Sequence, residues 1–198
     1  MGLASFSAAP AQVTGKGSLT LESSSLKAGL GYGLSNSGFG SVAFGRTAND
    51  NFGGSSLEVG ATAGYQMALG RAGAMQLCPV ASFGRGFGPK NSFNSGVDRS
   101  EISASVGLAM ATSFVVSPRL HVVPSVGFSY AYRKDKAENN AGASLFEIAE
   151  HYALVQLGVG LVLDSNISVR PGIDLPLGLN VNDPSLGLTV SYGFGRKR

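Results

Sequence analysis

Ser185-Leu186-Gly187-Leu188-Thr189-Val190-Ser191-Tyr192-Gly193-Phe194 is the stretch whose reading decides the fold. Leu186, Leu188, Val190, Tyr192 and Phe194 fall on one parity, and Gly187, Thr189, Ser191 and Gly193 on the other. A β-strand points successive side chains to opposite faces, so a strand with one apolar face reads with period two. The same split recurs upstream. Ala153, Val155, Leu157, Val159, Leu161 and Leu163 oppose Leu154, Gln156, Gly158, Gly160 and Val162. Ile102, Ala104, Val106, Leu108 and Met110 oppose Glu101, Ser103, Ser105, Gly107 and Ala109. Leu26, Ala28, Leu30 and Tyr32 oppose Lys27, Gly29, Gly31 and Gly33. No stretch of this length keeps a helical period.

The alternation predicts an all-β chain of about ten strands near 12–21, 26–35, 38–47, 56–69, 74–86, 100–114, 119–132, 150–163, 168–176 and 185–195, with a count of eight also compatible. Short connections fall at 35–37, 70–73, 115–118 and 164–166. Longer ones, rich in Asn, Asp, Gly, Lys and Ser, fall at 48–55, 87–99, 133–149 and 177–184. The two longest, 87–99 and 133–149, are expected to be mobile surface loops. Short turns at one end and long loops at the other are the organisation of an antiparallel up-and-down transmembrane β-barrel. Residues 12–198 read as one barrel domain. Residues 1–11, with Ala9-Pro10-Ala11 as a small-x-small site, read as the remnant of a signal peptide or a flexible N-terminus.

Composition supports a membrane exterior. The 198 residues are 43% hydrophobic and only 14% charged, against about 25% charged in ordinary soluble domains. Yet no apolar run approaches the ~18 residues of a transmembrane helix. The net charge of +3 includes the terminal Arg196-Lys197-Arg198. No basic stripe with interleaved aromatics is present, so no nucleic acid is expected as a partner. Cys78 is the single cysteine and reads as a small buried side chain, with neither a disulfide nor a thiolate cluster available to it. No phosphate loop, EF-hand or zinc spacing occurs, so no cofactor and no metal are expected.

Alternation alone does not say which face meets lipid. With the short turns placed in the periplasm, Tyr32, Tyr65, Phe114, Tyr192 and Phe194 collect near one rim, and Phe44, Phe83, Phe128, Tyr130 and Tyr132 near the other. Aliphatic residues fill the band between. Aromatic rings prefer the two membrane–water interfaces, so the bulky face is expected outside and the Gly/Ser face inside. A soluble barrel, with these faces swapped, is the competing reading.

The final strand follows a polar-x-Gly-x-x-apolar-x-aromatic pattern, with Ser185, Gly187, Val190, Tyr192 and Phe194 as its marked positions. It resembles the C-terminal β-signal of bacterial outer-membrane proteins, although Arg196-Lys197-Arg198 follow where such chains often end on the aromatic. With the Gly–aromatic strands Leu30-Gly31-Tyr32-Gly33 and Ser191-Tyr192-Gly193-Phe194, the chain is similar to the OmpA/OmpX-like outer-membrane barrel superfamily. That resemblance implies residence in the bacterial outer membrane, and as partners the membrane lipid and the barrel-insertion machinery. It implies no particular extracellular ligand.

Inside the barrel the expected polar and charged residues are Lys27, Glu58, Glu101, Arg170 and Asp174, with Arg133 at the outer mouth. Mixed signs point to a paired structural network. The function expected is non-enzymatic: a structural or surface-interacting outer-membrane barrel. The alternative is a narrow porin-like channel through a Gly/Ser-lined lumen. A rim hydrolase would need His151 with Glu150 or Glu147 to activate a hydroxyl or water, and no nucleophile stands at a recognisable spacing.

Overall fold

The computed structural model describes residues 11–19, 23–33, 37–49, 55–69, 75–88, 97–164, 166–178 and 184–194. These form β1 (Ala11–Leu19), β2 (Ser23–Gly33), β3 (Gly38–Asn49), β4 (Ser55–Tyr65), β5 (Met67–Leu69), β6 (Met75–Phe87), β7 (Val97–Thr112), β8 (Phe114–Ser117), β9 (Leu120–Asn139), β10 (Ser144–Leu163), β11 (Ile167–Leu177) and β12 (Ser185–Phe194). β5 continues β4 past Gln66 and pairs with the same neighbour, β6. β8 likewise continues β7 past Ser113 along β9. Among the described residues the sheet is therefore a closed antiparallel barrel of 10 strands.

Closure is made by β12 on β1, from Ala11↔Phe194 to Leu19↔Leu186. A sheet immersed in lipid has no water to satisfy an edge, so every backbone N–H and C=O needs a strand on both sides. The strands are staggered as closure requires. Cross-strand partners lead from Ala11 through Tyr32, Gly40, Ala63, Ala81, Val106, Tyr130 and Ala153 to Leu177, climbing from one end of β1 to the opposite end of β11.

The bulky parity faces out. Leu26 is 72% exposed, Phe44 and Val106 62% and Phe128 59%. The buried apolar set is small by comparison: Phe39, Cys78, Ala111, Val123, Ala131, Ala137 and Val162. A soluble fold would invert these two inventories. Tyr32, Tyr65, Phe114, Tyr192 and Phe194 are exposed near the end that holds the tight turns, and Phe44, Phe83, Phe128 and Tyr130 toward the other. By that organisation the turn end is periplasmic. There Pro118–Arg119 and Asp164–Asn166 are fastened together, Asp164 N–H donating to the Arg119 carbonyl at 2.9 Å.

One expectation is corrected. Segment 133–149 is not a mobile loop but the continuation of β9 and β10 beyond the aromatic rim, closed by a turn at 140–143. Asn139 Oδ1 accepts the N–H groups of Ala141 at 3.0 Å and Ala143 at 2.9 Å, and Gly142 supplies a φ of 78°. Its polar composition reads as loop, yet opposite charges are paired in it. Across the ladder Lys134 Nζ is 2.7 Å from Glu147 Oε1, and along β9 Lys136 Nζ is 2.5 Å from Glu138 Oε1. β7 supports the hairpin as far as Val97↔Asn139. Of loop 87–99, β6 and β7 claim both ends; 89–96 lie outside the described residues, as do residues 1–10 and 195–198.

The lipid-facing assignment predicts a depth dependence. Leu157→Arg, midway along β10, should lower the unfolding free energy of the detergent-folded barrel by ~2–4 kcal/mol, and Leu145→Arg on the projecting hairpin by ~0–1 kcal/mol. Urea titrations of both variants would measure this.

Candidate functional site

The inner parity is divided by height. The row Lys27↔Gly45↔Glu58↔Gly86↔Glu101↔Asp135 crosses five strand pairings in the half of the barrel toward the projecting hairpin. Glycine at the first intermediate position, Gly45, is a spatial requirement. A Cβ on Gly45 would meet Lys27 Cγ and the Leu26 carbonyl at 2.5 Å, so only glycine lets the lysine lie across β3 to pair with Glu58. Thr47 donates its hydroxyl to the same carboxylate. Beyond Gly86, Glu101 Oε2 is 3.2 Å from Arg133 Nη2, and Arg133 Nε is 3.0 Å from Asp135 Oδ2.

A second group occupies the wall built from β10, β11, β12 and β1. Lys16 Nζ is 3.6 Å from Asp174 Oδ2, and Gln156 Nε2 donates to Asp174 Oδ1 at 3.0 Å. Arg170 lies flat on Gly158, where a Cβ would come within 2.7 Å of its Nε. Lys16 stands directly opposite Lys27 and, through Thr189, in line with Arg170. Such a run of cations is tolerable only beside carboxylates. Lys16, Lys27, Arg133 and Arg170 stand among Glu58, Glu101, Asp135 and Asp174. All five residues expected inside, Lys27, Glu58, Glu101, Arg170 and Asp174, lie on this inner face. Between Lys27, Glu58 and Glu101 is a cavity of about 200 Å³, lined also by Ser41, Thr62 and Ser103.

Below these charges the inner parity changes character. Phe39, Cys78, Ala111, Val123 and Val162 form one buried cluster, with Val80 and Ala109 against it. Each sits at the periplasmic end of its strand. Phe39 is held across Gly64, whose hydrogen its ring touches. At the same level Ser191 and Gly193 of β12 and Gly31 of β2 are also buried. Among the described residues the lumen is therefore a polar vestibule above with a buried apolar cluster beneath. The layer was not among the expected site residues. Its trace in the sequence is that Phe39, Cys78, Val123 and Val162 stand on the inner parity near the turn-side ends of their strands.

The rim geometry differs from the hydrolase reading. Glu150 stands on the inner parity and His151 on the outer, so these neighbours point apart. Glu147 is engaged by Lys134, which holds its carboxyl below the ordinary range; Glu147 in turn raises the Lys134 ammonium. His151 instead meets Tyr130, whose hydroxyl is 2.8 Å from Nδ1, and Tyr132, whose ring centroid lies 4.9 Å away. His121 is 3.4 Å from the Ser113 hydroxyl at the opposite end. In β12, Val190, Tyr192 and Phe194 face outward, and Ser185 and Gly187 inward.

No protein-family model and no curated protein matches this sequence. Among solved structures, the translocator domain of autotransporter NalP from Neisseria meningitidis is similar at 11% identity, over 93% of this chain and 87% of that one, with a TM-score of 0.49. The N-terminal β-barrel domain of Pseudomonas aeruginosa OprF is similar at 13%, over 93% and 96%, with a TM-score of 0.39. The KdgM porin in complex with oligogalacturonate is similar at 11%, over 93% and 99%, with a TM-score of 0.45. The architecture of this chain rests on its own closed register and apolar exterior.

The paired lumen predicts non-additivity. Glu58→Gln leaves Lys27 facing Lys16 and should cost roughly 1 kcal/mol in this half-exposed setting. Adding Lys27→Met should restore most of that, a coupling that a double-mutant cycle of urea midpoints would read.

Proposed function

We propose that this chain is a non-conducting, non-enzymatic outer-membrane barrel that acts at its extracellular end, where it presents a rigid hairpin to the outside. The observation that carries the reading is the apolar layer of Phe39, Cys78, Ala111, Val123 and Val162 beneath the polar vestibule. Ions shed hydration water only where polar groups replace it, and a narrow apolar constriction excludes them by dewetting. An apolar layer packed across the lumen at that level is what a barrel without a continuous wet path requires.

The hairpin formed by β9 and β10 suits a role in surface contact. It is anchored on β7, its turn is fixed by Asn139, and it carries exposed Leu145 and Ile148 above the aromatic rim. A rigid scaffold presenting side chains beyond the membrane is the usual setting of a binding surface. The barrel beneath supplies anchorage, and insertion through its final strand is the expected route to the membrane.

The narrow-channel reading is supported by the vestibule cavity, which provides half of a pore. Planar-bilayer recording distinguishes the two. The wild-type barrel should give no resolved single-channel steps, and Phe39→Ala with Val123→Ala should introduce them by opening the apolar layer. Steps of equal size in both proteins would put the conducting path elsewhere and refute the closed lumen.

A further inference from the structure

Two arginines stand on the lipid-facing parity, close to the extracellular aromatic rim. Arg46 of β3 and Arg85 of β6 flank β4, Arg46 opposite Leu57 and Arg85 opposite Val59. Both are exposed, and neither forms an ion pair with a described residue. Arg46 Nε donates to Ser55 Oγ at 2.5 Å, and the Arg85 guanidinium lies over the Phe87 ring at 5.0 Å. These contacts orient the two side chains, and no carboxylate among the described residues compensates their charge. Two strand spacings separate them laterally, about 10 Å.

We infer that Arg46 and Arg85 form a site for the phosphate of an outer-leaflet lipid. The inference rests on the lipid-facing assignment of the outer parity. At the depth of Phe44 and Phe83 the neighbour of this face is lipid, so its occupant is lipid. A cation at the edge of the hydrocarbon needs an anionic partner, and the group found at that depth is the headgroup phosphate, which guanidinium binds in bidentate fashion. The acyl side fits as well. Below the arginines, β4 presents Ala61 between the larger Val42 of β3 and Phe83 of β6, and then Ala63 between Gly40 and Ala81. That leaves a face of small side chains below the two charges, against which an acyl chain can lie. Lys134 and Lys136, which share the cross-strand rows of Arg85 and Arg46, differ in being already matched by Glu147 and Glu138.

The test uses the full chain folded in dodecylmaltoside, with native mass spectrometry counting lipid retained after delipidation and re-addition. The probes are lipid A carrying two phosphates, an uncharged galactolipid and inorganic phosphate. Wild type should retain lipid A at least about tenfold more than Arg46→Gln/Arg85→Gln, since two charge-assisted contacts are lost. Lys136→Gln, which removes a charge that is already paired, should match wild type. The galactolipid should not distinguish the proteins, and inorganic phosphate should not displace lipid A at equal concentration. Equal retention by wild type and the double variant, or equal discrimination with the galactolipid, overturns the site. Displacement by inorganic phosphate overturns the lipid as its source. Heat-modifiable migration of each variant on gels shows separately that the barrel has folded, so loss of the lipid-facing fold is not mistaken for loss of the site.

Discussion

Backbone hydrogen bonding in a medium without water is the constraint on which the rest of this structure depends. Each N–H and C=O inside the bilayer must find a partner within the protein. A sheet meets that demand only by closing, which here means β12 on β1. Closure fixes two surfaces of different chemistry for one alternating sequence. The outer parity is set by lipid and can be bulky throughout. The inner parity must fit a narrow tube, so it holds glycine, serine and alanine wherever a larger neighbour needs room.

From that second surface follows the logic of the lumen. Charges occur inside only as matched groups, and glycine appears opposite them. Gly45 gives Lys27 its passage to Glu58, and Gly158 gives Arg170 a flat bed. Buried charge without a partner is expensive, while paired charge in partial contact with water is nearly neutral. The vestibule therefore specifies a shape more than it adds stability. Beneath it, Phe39, Cys78 and their neighbours form a small buried apolar cluster. This division sets a polar upper lumen over an apolar cluster near the turn end.

Much of the fold was legible because period two is a local signal. β12 and the lower part of β10 announce themselves by strict alternation, and the tight turns lie where Asn, Asp, Gly and Pro cluster. The inner placement of Lys27, Glu58, Glu101, Arg170 and Asp174 follows from the same parity. Three features were not legible. The upper half of β9 is largely polar on both faces above the membrane, so Lys134 and its β10 partner Glu147 read as loop until their cross-strand pairing is known. The apolar layer unites residues from β3, β6, β7, β9 and β10, and only the stagger of the barrel brings them to one level. The parting of Glu150 from His151 is parity itself, overlooked where adjacency in sequence suggested a pair.

The central claim, that the bulky parity faces lipid, is tested most directly by folding the purified chain with and without detergent micelles and comparing unboiled and boiled migration on SDS gels. The structure predicts a compact, heat-modifiable band that forms only with micelles present, because the exposed apolar belt has no partner in water. A monodisperse protein that unfolds cooperatively in plain buffer and shows no shift on boiling would contradict it, and would place the bulky face inside.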